Sequence, residues 1–141
     1  MDVEYHPGFA LWLEEVVEMD VEVGGDLLAL LGKLEEHGDR LGDPESHPVV
    51  TSSMGLRALR RTPSTDSTPY AVGPPVLRVL YGFARPPSRP VRAVVLLGGD
   101  KTARGNRWYP PAVAKAESRL AEHTRARGWR IVKLRAGEAW L

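Results

Sequence analysis

The chain has 141 residues, 43% of them hydrophobic, with nineteen Lys/Arg against eighteen Asp/Glu and no cysteine. That length suits one core of ordinary size, and the missing thiols exclude a disulfide framework, Cys-based zinc sites and a cysteine nucleophile, leaving the reducing cytoplasm as the expected location. The near-neutral total conceals a split. Residues 1–45 carry thirteen Asp/Glu and two Lys/Arg, whereas residues 46–141 carry five and seventeen. So basic a segment, with few carboxylates to neutralise its arginines, suits a surface that meets a polyanion such as nucleic acid, while the acidic third either shields that surface or solubilises two helices. The N-terminus is acidic where a secretory signal is basic, and the longest strongly apolar run, Ala93 to Leu97, is too short to cross a bilayer, so no membrane association is expected.

Val3-Glu4-Tyr5 alternates as an edge strand does, and Phe9 to Met19 places Phe9, Leu13, Val16 and Val17 on one helical side. Gly24-Gly25 reads as a break, with Asp26 as the N-cap of a second helix carrying Leu27, Leu30, Leu31 and Leu34 up to His37-Gly38. Arg40 to Pro44 has loop chemistry, and through His47-Pro48 the chain reaches a strand around Leu56 to Thr62. The Ser/Thr/Pro/Gly-rich stretch from Pro63 to Pro75 reads as a flexible insert. Val76 to Phe83 and Arg92 to Leu97 are strong strands joined by a turn, hence an antiparallel hairpin. After a polar loop from Gly98 to Tyr109, Pro110-Pro111 suits a helix start, with Val113, Ala116, Leu120 and Thr124 on one face until Gly128. Residues 1–128 are thus expected to form one domain, and 129–141 an edge strand or a tail.

The chain contains no phosphate-binding glycine loop, zinc-binding helix pattern or serine nucleophile elbow. Its four histidines, His6, His37, His47 and His123, are dispersed without metal-ligand spacing, so neither metal nor cofactor is expected, and structural or surface roles are assigned to them. The strands are more informative. Arg57, Arg60 and Arg61 share one strand, Arg78 and Tyr81 the next, and Lys101, Arg104, Arg107, Trp108 and Tyr109 follow the third. Alternation puts Arg57 and Arg61 on one face, Arg60 on the other, and Arg78 with Leu80 rather than with Tyr81. A guanidinium between Val76-Leu77 and Val79-Leu80 calls for an anionic partner: a ligand in an open groove, or an internal carboxylate such as Glu14 or Glu18.

Together, Phe9 to Leu13, His37 to Pro44, Leu56-Arg57-Ala58-Leu59-Arg60, Leu77 to Phe83, Leu96 to Thr102 and Arg107-Trp108-Tyr109 occur in an order that resembles the RelE/HigB-like toxins of type II toxin-antitoxin systems, particularly a phage-related HigB-like branch. The family usually has Glu-Leu-Arg where this chain has Ala58-Leu59-Arg60, and the insert is longer than usual. The resemblance implies an α+β fold: two N-terminal helices on a twisted, mostly antiparallel sheet of three to five strands, plus a C-terminal helix. It also implies a ribosome-dependent mRNA endonuclease, or mRNA interferase, that inhibits translation and is silenced by a helix-turn-helix antitoxin.

Cleavage by attack of a ribose 2′-OH on its own phosphodiester needs a deprotonated nucleophile, a stabilised phosphorane and a protonated leaving oxygen. On this reading Arg60 and Arg78 stabilise charge, Lys101 stabilises charge or moves a proton, and Tyr109 stacks on a base or assists proton transfer. Arg57, Arg61, Tyr81, Arg104, Arg107 and Trp108 are the expected RNA-binding residues; packing between loop and final helix is the other reading for Trp108 and Tyr109. Two alternatives share the scaffold: a ParE-like gyrase inhibitor, and a catalytically decayed module that binds nucleic acid or protein.

Overall fold

The structure is a computed structural model, and it describes residues 1–61 and 76–134. The described residues are α+β, with three α-helices and a mixed six-stranded sheet. In chain order the elements are β1 (Val3–Tyr5), α1 (Pro7–Met19), α2 (Val21–His37), β2 (Ser46–Pro48), β3 (Arg57–Arg60), β4 (Leu77–Arg85), β5 (Arg92–Asp100), α3 (Tyr109–Arg127) and β6 (Arg130–Val132). The sheet runs β1-β5-β4-β3-β2, with β6 on β4 beyond the end of β3. The hairpin β4–β5 is its antiparallel centre, but β1 lies parallel to β5.

Both faces of the central strands are covered, which is why Leu77 to Ala84 is apolar almost throughout rather than alternating with polar residues. Phe9, Leu27 and Leu34, from α1 and α2, pack with Leu59, Val79, Tyr81, Phe83 and Val95 on one face. Helix α3 packs Val113, Ala116 and Leu120 with Ala58, Leu80, Val94, Leu96 and Leu97 on the other. A bulge sets this pattern: Leu80 pairs with Leu97 and Tyr81 with Val95, so the unpaired Leu96 joins Leu97 on the α3 side. Burying side chains such as Phe9, Leu34 and Leu120 contributes about 1.5–3 kcal/mol each.

The helix boundary expected at Asp26 is corrected. Asp20 is the N-cap of α2, accepting from the backbone N–H of Glu22 and Val23 at 3.1 Å each, and Gly24-Gly25 lies inside the helix. Gly24 is there for proximity: a Cβ on it would stand 2.8 Å from the Val17 Cα, so its absence lets α2 close on α1. Strand β3 is shorter than expected, ending at Arg60, and Thr62 and the 63–75 insert fall outside the described residues. Strand β2 was not expected at all. Of the 129–141 extension, Arg130–Val132 forms β6 on Phe83–Arg85, and 135–141 fall outside the described residues.

Helix α1 is capped by His6, whose Nδ1 accepts from the Gly8 N–H at 3.0 Å. Burial, followed by the cations of Arg119, His123 and Arg127, pushes His6 below the usual imidazole range, against an opposing pull from Glu122. A depressed histidine favours the neutral form in the folded state. Its contribution is therefore complete above the unfolded value of about 6.5 and is lost as pH falls through the lower folded value. Urea midpoints measured from pH 7.5 to 5 should fall less steeply for His6→Asn, which can cap without titrating; parallel slopes for the two proteins would refute this.

Candidate functional site

Arg60 and Arg78 are register partners on β3 and β4, directly opposite one another on the α3 face. Like charges so placed destabilise a sheet. Neither has a full set of partners among the described residues. Arg78 Nη1 donates to the Leu77 carbonyl at 2.9 Å, and Arg60 Nη2 to Asp43 Oδ1 at 2.7 Å, while the buried Nε atoms of both lack a partner among the described residues. The carboxylates of Glu14 and Glu18 are no counter-ions for Arg78, because α1 packs on the opposite face of the sheet.

Lys101 follows the end of β5 and completes the cationic wall. Its Nζ donates to Asn106 Oδ1 at 3.0 Å and sits 5.2 Å from the centre of the Tyr109 ring. Burial pushes the Lys101 ammonium below its usual range, and the charges of Arg78 and then Arg60 push the same way. Tyr109 begins α3, where its ring meets Trp108 edge to face at 5.1 Å. Arg60, Arg78, Lys101 and Tyr109, from four separate segments, line one open cleft of about 470 Å³ whose described lining contains no carboxylate.

The far wall, Val49 to Thr51, belongs to the β2–β3 loop. Glu117 on α3 ties that loop down, its Oε2 accepting from the Ser52 and Ser53 hydroxyls and from the N–H groups of Ser53 and Met54, all at 3.0–3.1 Å. Two adjacent glycines make room at the opposite end. A Cβ on Gly98 would lie 2.2 Å from the Trp12 ring, and one on Gly99 would lie 2.7 Å from Trp108 Nε1. The bare backbone of β5 therefore accepts an indole on each face, and Gly99, paired with Arg78, seats Trp108 beneath the segment that carries Lys101.

Four of the expected RNA contacts, Arg57, Tyr81, Arg61 and Trp108, are corrected. Arg57 is buried on the α1–α2 face, donating from Nε to Ser46 Oγ at 3.1 Å and from Nη2 to the Leu41 carbonyl at 3.4 Å. Tyr81 is wholly buried there, its hydroxyl bonded to Ser46 Oγ and its phenol pushed up by burial. Arg61 turns to the same side and pairs with Asp26 at 2.8 Å. Trp108 is a core residue. Arg104 and Arg107 are exposed but outside the cleft lining.

Tyr81→Phe should cost about 1 kcal/mol in a denaturant titration through the lost Ser46 bond and leave RNA affinity unchanged. A loss of affinity without a loss of stability would return Tyr81 to the binding surface.

His47 was assigned no site role from sequence, yet it lines the cleft. It sits on β2 opposite Ala58, and its Nδ1 is 3.2 Å from Asp43 Oδ1, the same oxygen that holds Arg60.

Among the described residues no three His, Asp or Glu side chains are grouped to hold a metal, and no helix is long and apolar enough to cross a membrane. The chain matches no protein-family model, no curated protein and no solved structure.

Proposed function

We propose that the cleft grips an RNA phosphodiester and cleaves it by metal-independent attack of the 2′-OH, making the chain a ribosome-dependent mRNA endonuclease on a RelE-like fold. In this reading it is the toxin of a toxin-antitoxin module, acting in the cytoplasm and held in check by a helix-turn-helix antitoxin. The observation that carries the reading is the cross-strand pair of Arg60 and Arg78, joined by Lys101 in a cleft whose described lining has no carboxylate, with Asp43 touching Arg60 from outside it. Three cations that raise one another's electrostatic cost are relieved together by a phosphate, and a charge that grows in the phosphorane is held more tightly than the ground state. Tyr109 lines the same cleft, and in this reading its ring stacks on a base adjoining the gripped phosphate.

Purified protein added to translating ribosomes should cut the message within codons, in reactions without added divalent metal beyond what the ribosome requires. Intact message at full occupancy would remove the enzyme and leave a binding module, the reading favoured by the methyl group of Ala58 on the cleft floor. Inhibition of gyrase supercoiling without RNA cleavage would instead point to the ParE-like activity.

A further inference from the structure

We propose that His47, held by Asp43, is the group that takes the proton from the attacking 2′-OH. The assignment rests on the RNA-cleaving reading of the cleft and adds to it a proton acceptor distinct from Lys101, which is placed as the donor to the leaving oxygen. Guanidinium groups stay protonated in any accessible pH range, so Arg60 and Arg78 cannot accept the proton. A phenol keeps its proton near neutrality, and amide and hydroxyl side chains such as Asn106 and Thr51 are not bases. Of the described lining side chains only the imidazole belongs to a type whose ordinary range lies near neutrality.

Its placement suits the task. A carboxylate only accepts hydrogen bonds, so in the neutral ring the 3.2 Å contact with Asp43 Oδ1 selects the tautomer with the proton on Nδ1 and the lone pair on Nε2. The ring is half exposed, and its partner across the β2–β3 ladder is Ala58, whose methyl cannot block the approach of a ribose. Asp43 Oδ1 also accepts from Arg60, so one carboxylate aligns both the base and a phosphate-binding guanidinium. The charged and titratable groups around the ring are therefore Asp43 from the preceding loop, Arg60 from β3, Arg78 from β4, and Lys101 and Tyr109 beyond β5.

In the step itself the 2′-oxygen passes its proton to Nε2 as the O2′–P bond forms. The P–O5′ bond breaks, and the leaving 5′-oxygen takes a proton from the Lys101 ammonium. The products are a 2′,3′-cyclic phosphate and a 5′-hydroxyl. Solvent then reprotonates Lys101 and removes the proton from His47.

The test is single-turnover cleavage on programmed ribosomes, with ribosome binding measured in parallel, for the wild type, His47→Gln, His47→Gly and Asp43→Asn. His47→Gln should cut about 10²- to 10⁴-fold more slowly, bind within a few-fold of the wild type, and lose the decline in rate on the acid side of the pH profile. Added imidazole should restore part of the rate to His47→Gly. Asp43→Asn, which disturbs positioning, should lower the rate less and leave a displaced acid limb. A wild type that does not cut overturns both this assignment and the nuclease reading. A wild type that cuts, with His47→Gln equally fast, overturns this assignment alone, as does a rate loss matched by lost binding and not rescued by imidazole.

Discussion

Arg78→Ala is expected to lower cleavage by about 10²- to 10³-fold, the scale seen when one preorganised donor to a developing oxyanion is removed. The arginine stands opposite Arg60, with a buried Nε unpartnered among the described residues and one bond to its neighbour's carbonyl. Such an arrangement is poor for folding and good for receiving an anion. The same substitution should therefore leave the melting temperature unchanged or raise it, because it relieves cation–cation repulsion without emptying the core. Arg78→Lys should rescue little, since a point charge on a flexible stem does not reproduce a planar fork. Translation assays and thermal melts on the same preparations check both halves. Full activity in Arg78→Ala would remove the cleft from the mechanism, and an unfolded variant would show that Arg78 is a packing residue.

The second large effect is on stability. Gly98→Val should cost about 2–3 kcal/mol, because the added side chain enters space already filled by the Trp12 indole, whose ring atoms would lie 2.2 and 2.3 Å from a Cβ. For a chain of this length the melting temperature should drop by roughly 10 °C. A planar indole wedged between α1 and β5 cannot swing aside as a lysine tip does, so the strain passes to the packing of α1 on the sheet. Gly98→Val with Trp12→Ala should recover part of the loss by removing the obstructing ring, which separates a steric cause from a strand-propensity effect. A single variant as stable as the wild type, by calorimetry, would mean that α1 adjusts freely.

The parts of the site that local spacing could reveal and those it could not differ in a physical way. Strand alternation separates Arg60 from Arg57 and Arg61, and Arg78 from Tyr81, and the structure has those partitions. Alternation does not say which face of the strand is sealed. Arg57 and Tyr81 therefore carried RNA-binding chemistry on paper while being buried around Ser46, a residue on the unexpected strand β2. Three residues ending in proline show no period, and β2 exists through its pairing with β3. The role of His47 was hidden for the same reason, although Asp43 four residues earlier was a visible clue. For α2 the usable signal was Asp20 ahead of Val21-Glu22, and the glycine pair outweighed it because helix-weakening residues look like a boundary until a neighbouring helix is seen to need the space.

The residues alone specified the split of charge, the leucine stripe of α2, the hairpin strands and which strand arginines share a face, since all of these follow from composition or from a repeat within one element. Tertiary structure decided which cations meet. Arg60 and Arg78 are separated by the whole 62–75 stretch and become neighbours only through the register of β3 on β4, while Lys101 and Tyr109 reach them because the glycine-floored end of β5 lets Trp108 fold back beneath that segment. Pairing register between distant strands is a property of the packed sheet, so no local pattern carries it.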